Sequence, residues 1–211
     1  MDKPVLRAKR ILYYKIMRLI ETLRGIDTVK YVDLDELGLT GDTGCRYEYS
    51  KKKYLRKVFQ DLELHGDDGI IDLGSGKGSA LIEFSKYPFA RIAGVEYSPK
   101  LIHICRNNLK RLNIKNVDLF CTNVIDFEGY LPYNYIYLYN PFPERVFQKV
   151  INNIIESQHE KKREIVIIYK NPTCDKIIIN SGQFTKVREY INQNKAFPLL
   201  DSIYVYRSIL K

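Results

Sequence analysis

The sequence predicts an α/β chain, built on a mostly parallel, doubly wound sheet with helices on both faces. Three observations predict it. From about residue 70 onward, short runs rich in Ile, Val and Tyr alternate with segments whose apolar residues recur at helical spacing, as crossover units in a parallel sheet require. The first of these runs, Ile70-Ile71-Asp72-Leu73, opens into Gly74-Ser75-Gly76-Lys77-Gly78, a buried strand that passes through a tight turn into a helix start. Five of the strand ends carry a polar residue, Asp72, Glu96, Asn123, Asn140 and Asn171, and sheets of this kind bind ligands outside the carboxyl ends of their strands.

Composition bounds the reading. The 211 residues, 45% of them hydrophobic, fit one domain of ordinary size with a terminal extension. We divide the chain into a basic helix and connector over 1–45 and a domain over 46–211. Four cysteines, at 45, 105, 121 and 174, show no C-x-x-C spacing, and the histidines at 65, 103 and 159 are dispersed, so reduced thiols and no metal site are expected. No apolar run approaches the roughly 20 residues that span a bilayer, and no small-residue cleavage site follows the basic start. A cytoplasmic chain is the expectation. The net charge of +9 and pI near 9.2 suit an acidic partner such as RNA or an acidic protein surface, although a basic soluble protein would show the same balance.

Residues 4–24 read as one amphipathic helix, with Leu12, Ile16, Leu19 and Leu23 at helical spacing, Arg7, Arg10 and Arg18 elsewhere on its surface, and Gly25 as its stop. The favoured reading packs this helix on the domain with its basic side in water; the other gives it an anionic partner or a membrane surface. Residues 31–45 turn acidic and glycine-rich and read as a connector. Tyr47-Glu48-Tyr49-Ser50 then precede a helix that Ser50 can cap and whose buried stripe is Leu55, Val58, Phe59 and Leu62. Tyr47, Tyr49 and Ser50 fall where they can cover a cofactor pocket, and packing and capping account for them equally well.

The chemistry of the glycine turn follows from what it lacks. A dinucleotide fingerprint needs its third glycine where Ser79 stands, and a phosphate loop needs glycine where Ile71 stands and Ser or Thr where Gly78 stands. Asp72 decides further, because a carboxylate two residues before the first glycine repels a pyrophosphate and attracts an ammonium group. A cofactor carrying positive charge is therefore expected. The pattern Asp72-x-Gly74-x-Gly76-x-Gly78 resembles the D/E-x-G-x-G-x-G motif of class I methyltransferases. That resemblance implies S-adenosyl-L-methionine as cofactor, held at its methionine end by Asp72, Gly74, Ser75, Gly76 and Gly78, and a Rossmann-like seven-stranded sheet.

Beyond the turn, a crossover helix over 79–87 leads to the strand Arg91-Ile92-Ala93-Gly94-Val95, which ends at Glu96. An acid there, about 20 residues past the turn, can accept from ribose hydroxyls, and Tyr97 can lie against the adenine. Ser98-Pro99 opens the next helix with a cap and an N1 proline, and Leu101, Ile104, Cys105, Leu109 and Leu112 form its stripe. A strand over 117–121 precedes Asn123-Val124. The family resemblance implies an acid and an apolar residue here, meeting the adenine amino group; Asn123 departs from it, so Asp126 is a rival. A Tyr-rich strand over 133–139 runs into Asn140-Pro141-Phe142-Pro143, a helix spans 144–159, a fifth strand spans 165–169, and runs over 184–190 and 203–206 read as a closing antiparallel hairpin.

Asn140-Pro141-Phe142 resembles the N-P-P-Y/F motif of amino-directed methyltransferases, without its second proline. The resemblance implies Asn140 orienting an acceptor amine beside Pro141 and Phe142; a helix-initiating turn is nearly as good an account. Residues 47–206 are similar to small bacterial class I methyltransferases with D-L-G-S-G-K-G, G-V-E and Y-N-P-F elements, and the first two elements also resemble those of non-SET histone-lysine methyltransferases. The expectation is a methyltransferase acting on nitrogen of a protein (lysine or amide) or of RNA. The alternatives are a catalytically silent cofactor-binding module that acts through its basic helix, and a nucleotide-dependent enzyme such as a dehydrogenase.

Overall fold

The computed structural model describes residues 3–37, 52–139, 142–193 and 199–209. Seven strands form one sheet: β1 (Gly69–Leu73), β2 (Arg91–Glu96), β3 (Val117–Cys121), β4 (Tyr135–Tyr139), β5 (Val166–Lys170), β6 (Phe184–Tyr190) and β7 (Ile203–Ser208). Their order is β3-β2-β1-β4-β5-β7-β6. The first five are parallel, and β7 lies antiparallel between β5 and β6. The strand order reverses at β1, which pairs with β2 on one flank and β4 on the other. The crevice of a doubly wound sheet opens at such a point.

The helices are α1 (Lys3–Arg24), α2 (Leu34–Leu37), α3 (Lys53–Asp61), α4 (Ser79–Phe84), α5 (Pro99–Arg111), α6 (Glu144–Glu160) and α7 (Asp175–Asn180). Strand residues alternate between two cores. Ile71, Leu73, Ile136, Leu138 and Ile167 join Phe147, Val150, Ile151 and Ile154 of α6 on one face. Ile70, Ile92, Tyr137 and Ile168 join Leu55, Val58 and Phe59 of α3, Leu81 and Phe84 of α4 and Cys105 of α5 on the other. Parallel strands covered on both faces must be apolar throughout, and β1 and β5 are buried at every position. Asp72 is a charged exception.

Three expectations change. Leu12, Ile16, Leu19 and Leu23 do not pack on the domain; they are 58%, 49%, 61% and 79% exposed. The reason lies at the end of α1. Buried Glu21 accepts from Thr28 N (2.7 Å), Thr28 Oγ1 (2.5 Å) and Val29 N (2.9 Å), so α1 meets the chain after it through this acid while these leucines and the isoleucine stay in solvent. Second, the N-cap position of α3 is Lys52, without a side-chain cap, whereas the expected cap, Ser50, lies outside the described residues. Third, the crossover helix stops at Phe84, where the Ser85 hydroxyl bonds the Ile82 carbonyl. In α5, Ser98 caps as expected, its hydroxyl accepting from Leu101 N at 3.4 Å. Among the described residues no helix is long and apolar enough to cross a membrane.

Candidate functional site

Parallel register brings the strand ends together: Asp72 pairs with Gly94, Leu73 with Val95, and Glu96 with Cys121. Asp72, Glu96 and Asn123 thus occupy consecutive positions along one rim. The glycine turn is fastened to β2, since Gly74 N and Ser75 N both donate to the Val95 carbonyl (2.8 and 2.9 Å). Gly74, Gly76 and Gly78 sit at φ of 89°, 52° and 80°, a region that disfavours any side chain. Gly78 has a second reason: a Cβ there would lie 2.5 Å from Cys105 Sγ. That glycine lets α4 start against α5. Ser75 is buried at the turn beside Gly94, and the hydroxyls of Ser75 and Ser79 have no hydrogen-bond partner among the described residues.

Asp72 is 3% exposed. Among the described residues none donates a hydrogen bond to its carboxylate; burial first, and then the charge of Glu96, push its pKa well above the ordinary carboxylate value. Glu96 is also raised by burial, opposed by backbone N–H groups. Its Oε2 accepts from Gly76 N at 2.9 Å and its Oε1 from Ser98 N at 2.8 Å, so this acid braces the turn and the start of α5 together. Beneath them, burial and the charges of Asp72 and Glu96 push the Cys105 thiol up to about 12. The rim is thus electronegative, and among the described residues its most buried acid is without a counter-charge.

The other expected residues fall as follows. Tyr97, just past β2, is 47% exposed. Asn123 spends its side-chain oxygen on Ile125 N at 3.2 Å, capping a single 3₁₀ turn over Val124–Asp126 in which Val124 is buried and Asp126 exposed. Phe142 is partly buried against the core. Asn171 follows β5 in a left-handed conformation (φ 56°) and donates its N–H to Ser202 O at 2.8 Å. Tyr47, Tyr49, Ser50, Asn140 and Pro141 lie outside the described residues.

Sequence reasoning missed Lys77. Its side chain is wholly buried and turned away from the rim, where Nζ donates to both Asp27 oxygens (2.9 and 2.8 Å) and to the Lys30 carbonyl (2.8 Å). Buried Asn108 of α5 completes the joint: Oδ1 accepts from Asp27 N (2.8 Å), and Nδ2 donates to Asp27 O (2.8 Å) and Lys77 O (3.0 Å). The segment after α1 is thereby fixed to the back of the glycine turn. The available signal was a lysine between two glycines with no phosphate motif to use it. Also missed was Lys170 at the end of β5, buried, 3.2 Å from Asp201 Oδ1 and 4.6 Å from the centroid of Tyr139.

A doubly wound sheet with an acid at the end of its first strand, a triple-glycine turn and a second acid across from it defines a nucleotide-cofactor-binding α/β protein. Residues 64–197 match a family model described as a methyltransferase domain, and the chain belongs to that family. It is 30% identical over 95 residues, 44% of this chain, to EEF1A lysine methyltransferase 2 of Homo sapiens, and 24% identical over 163 residues, 76% of this chain, to an rRNA adenine N-6-methyltransferase of Limosilactobacillus reuteri. It spans 40% and 58% of the lengths of those relatives. Among solved structures, an rRNA methylase from Streptococcus thermophilus superposes with a TM-score of 0.58 at 14% identity, over 77% of this chain and 98% of that one. A methyltransferase from Streptococcus mutans in complex with SAH gives 0.57 at 17% identity, over 76% and 99%. These likenesses carry the fold.

Proposed function

We propose that this methyltransferase uses S-adenosyl-L-methionine and places the methyl group on a nitrogen of a protein or RNA acceptor. One observation carries the cofactor: Asp72, at the end of β1, is buried and has neither a donor nor a counter-charge among the described residues. A buried carboxylate in that state is costly unless a ligand brings the missing cation, and the α-ammonium group of S-adenosylmethionine is such a cation. The hydroxyls of Ser75 and Ser79, without a partner among the described residues, fit a turn that meets a polar ligand.

Bound there, the cofactor supplies a sulfonium methyl, and the protein's task is to bind, align and exclude water. Asp72 accepts from the ammonium group. Gly74, Ser75, Gly76 and Gly78 shape the turn around the methionine end. Glu96 keeps lone pairs for ribose hydroxyls while its backbone bonds hold it still. Tyr97, Asn123 and Val124 bound the adenine side, and Tyr47 and Ser50 close over the pocket. Asn123 already uses one lone pair as a cap, and Asp126 remains the rival for the adenine amino group. At the end of β4, Asn140 accepts from the acceptor's amino group and aims its lone pair at the methyl, with Pro141 and Phe142 as the wall. Two relatives' names support nitrogen, one specifying lysine and the other adenine N-6, while a third names a carbon, C(15). Residues 46–211 form the catalytic unit in this reading, and residues 1–45 its extension.

Calorimetry of S-adenosylmethionine and NAD binding tests the cofactor: the former should bind, and Asp72→Asn should weaken it more than tenfold. Preference for NAD, or unchanged affinity in the folded variant, overturns the placement. Methyl-labelled cofactor in cell lysate, followed by nuclease or protease digestion, reports the acceptor class; label in neither fraction would favour a silent module. Asn140→Ala should keep cofactor affinity and lower transfer, and full turnover would assign Asn140 to the fold alone.

A further inference from the structure

The face of α1 that sequence periodicity would bury is turned outward. Along this 22-residue helix, Leu12, Ile16, Leu19 and Leu23 follow one another at four- and three-residue steps, and Tyr13 and Ile20 widen the same stripe. All six are exposed, from 38% at Tyr13 to 79% at Leu23. The helix carries seven Lys and Arg residues and one acid, Glu21. That acid is buried and committed to Thr28 and Val29, and Lys15, Arg18 and Arg24 are exposed, so over its described side chains α1 offers aliphatic and cationic surface together.

Each candidate occupant must satisfy both properties. A second copy would cover the aliphatic stripe but set one cationic helix against another. RNA would neutralise the charge and leave six large apolar side chains in water. An acidic protein helix would answer both, yet side chains as exposed as Leu19 and Leu23 frame no recess in which a specific partner residue could seat. Fluid acyl chains need no recess, and anionic headgroups supply the charge. We infer that α1 is an interfacial helix, which lies in the headgroup region of a membrane containing anionic phospholipid and holds the methyltransferase at that surface. The joint of Asp27, Lys77 and Asn108 fixes the chain just after α1 to the glycine turn, so the helix is a fixed mount for the domain.

The chain has no tryptophan, so Ile16→Trp gives this 211-residue chain a single reporter on the stripe. With vesicles of phosphatidylcholine containing about 30% phosphatidylglycerol, its emission should shift to the blue and the protein should sediment with the lipid, and pure phosphatidylcholine should retain at least about tenfold less. Leu12→Ser with Leu19→Ser, or Lys15→Glu with Arg18→Glu, should each weaken partitioning more than about tenfold. These sites are exposed, and unchanged circular dichroism and melting will show that the variants fold. Equal partitioning into both vesicle types, or retention by the serine variant, overturns the inference. So does a blue shift that follows protein concentration without lipid, which would make the stripe an interface between copies, or one that follows added RNA.

Discussion

Replacing Asp27 with alanine removes the carboxylate that faces the buried Lys77 ammonium. Both oxygens lie within 2.9 Å of Nζ, and Lys77 has no exposed side-chain surface. Breaking a fully buried pair from one side costs about 3–5 kcal/mol, because the remaining charge is stranded. Two features reduce the figure here. The Asp27 side chain is 41% exposed, so water will enter the vacated place, and the Lys30 carbonyl still accepts from Nζ. Burial also lowers the pKa of Lys77, against the pull of Asp27, so without Asp27 the amine can shed its proton more cheaply as pH rises. We expect a loss of about 2 kcal/mol near pH 7, a fall in Tm of about 4–8 °C for a chain of this length. Urea unfolding and thermal melting measure it. Asp27→Ala combined with Lys77→Met should be less destabilised than the sum of the two changes, since the double variant strands no charge. A loss under about 0.5 kcal/mol, or simple additivity, would refute the joint.

Three more outcomes follow from the rim. Asp72→Asn should stabilise the ligand-free protein by about 1–2 kcal/mol, because a buried carboxylate without donors loses its charge; a destabilised variant in urea would mean that Asp72 has a structural partner. The pH dependence has a definite sign. With its folded pKa raised, Asp72 contributes stability that is full below the ordinary value near 3.8 and is lost as pH rises through the folded pKa. Melting of the native protein relative to Asp72→Asn should therefore fall across that window, while S-adenosylmethionine affinity rises across it with proton release, seen by calorimetry in two buffers; a flat difference would remove Asp72 from the cofactor. Gly78→Ala should cost about 2–3 kcal/mol in urea unfolding, from φ strain together with the contact on Cys105, and adding Cys105→Ala should recover the contact only.

Much of the fold was legible because its causes are local. The runs at 70–73, 92–95, 135–138 and 166–170 are buried on both faces, the edge run at 117–121 is not, and turn or cap residues bound them. The polar strand endings could be read for the same reason, since an acid that closes a buried run has few places to be. The functions of Lys77 and Asn108 were not legible, because each depends on Asp27, a residue 50 or 81 positions away whose approach follows only from folding. The periodicity of α1 was read correctly and its consequence was not. Spacing shows that one face is apolar but carries no information on what covers that face, and in the fold α1 meets the chain through Glu21 with Thr28 and Val29 and not through Leu12, Leu19 and Leu23.

By itself the sequence determined the order of strands and helices, the glycine turn, and the two acids at 72 and 96, because strand periodicity, turn chemistry and charge are properties of neighbouring residues. Tertiary structure decided that no described residue answers Asp72, that Glu96 braces the turn, that Lys77 faces away from the cofactor rim, and that the leucines of α1 meet solvent. Those are matters of which groups meet across long loops, and a carboxylate or an apolar stripe acquires its consequence only from what the fold sets against it.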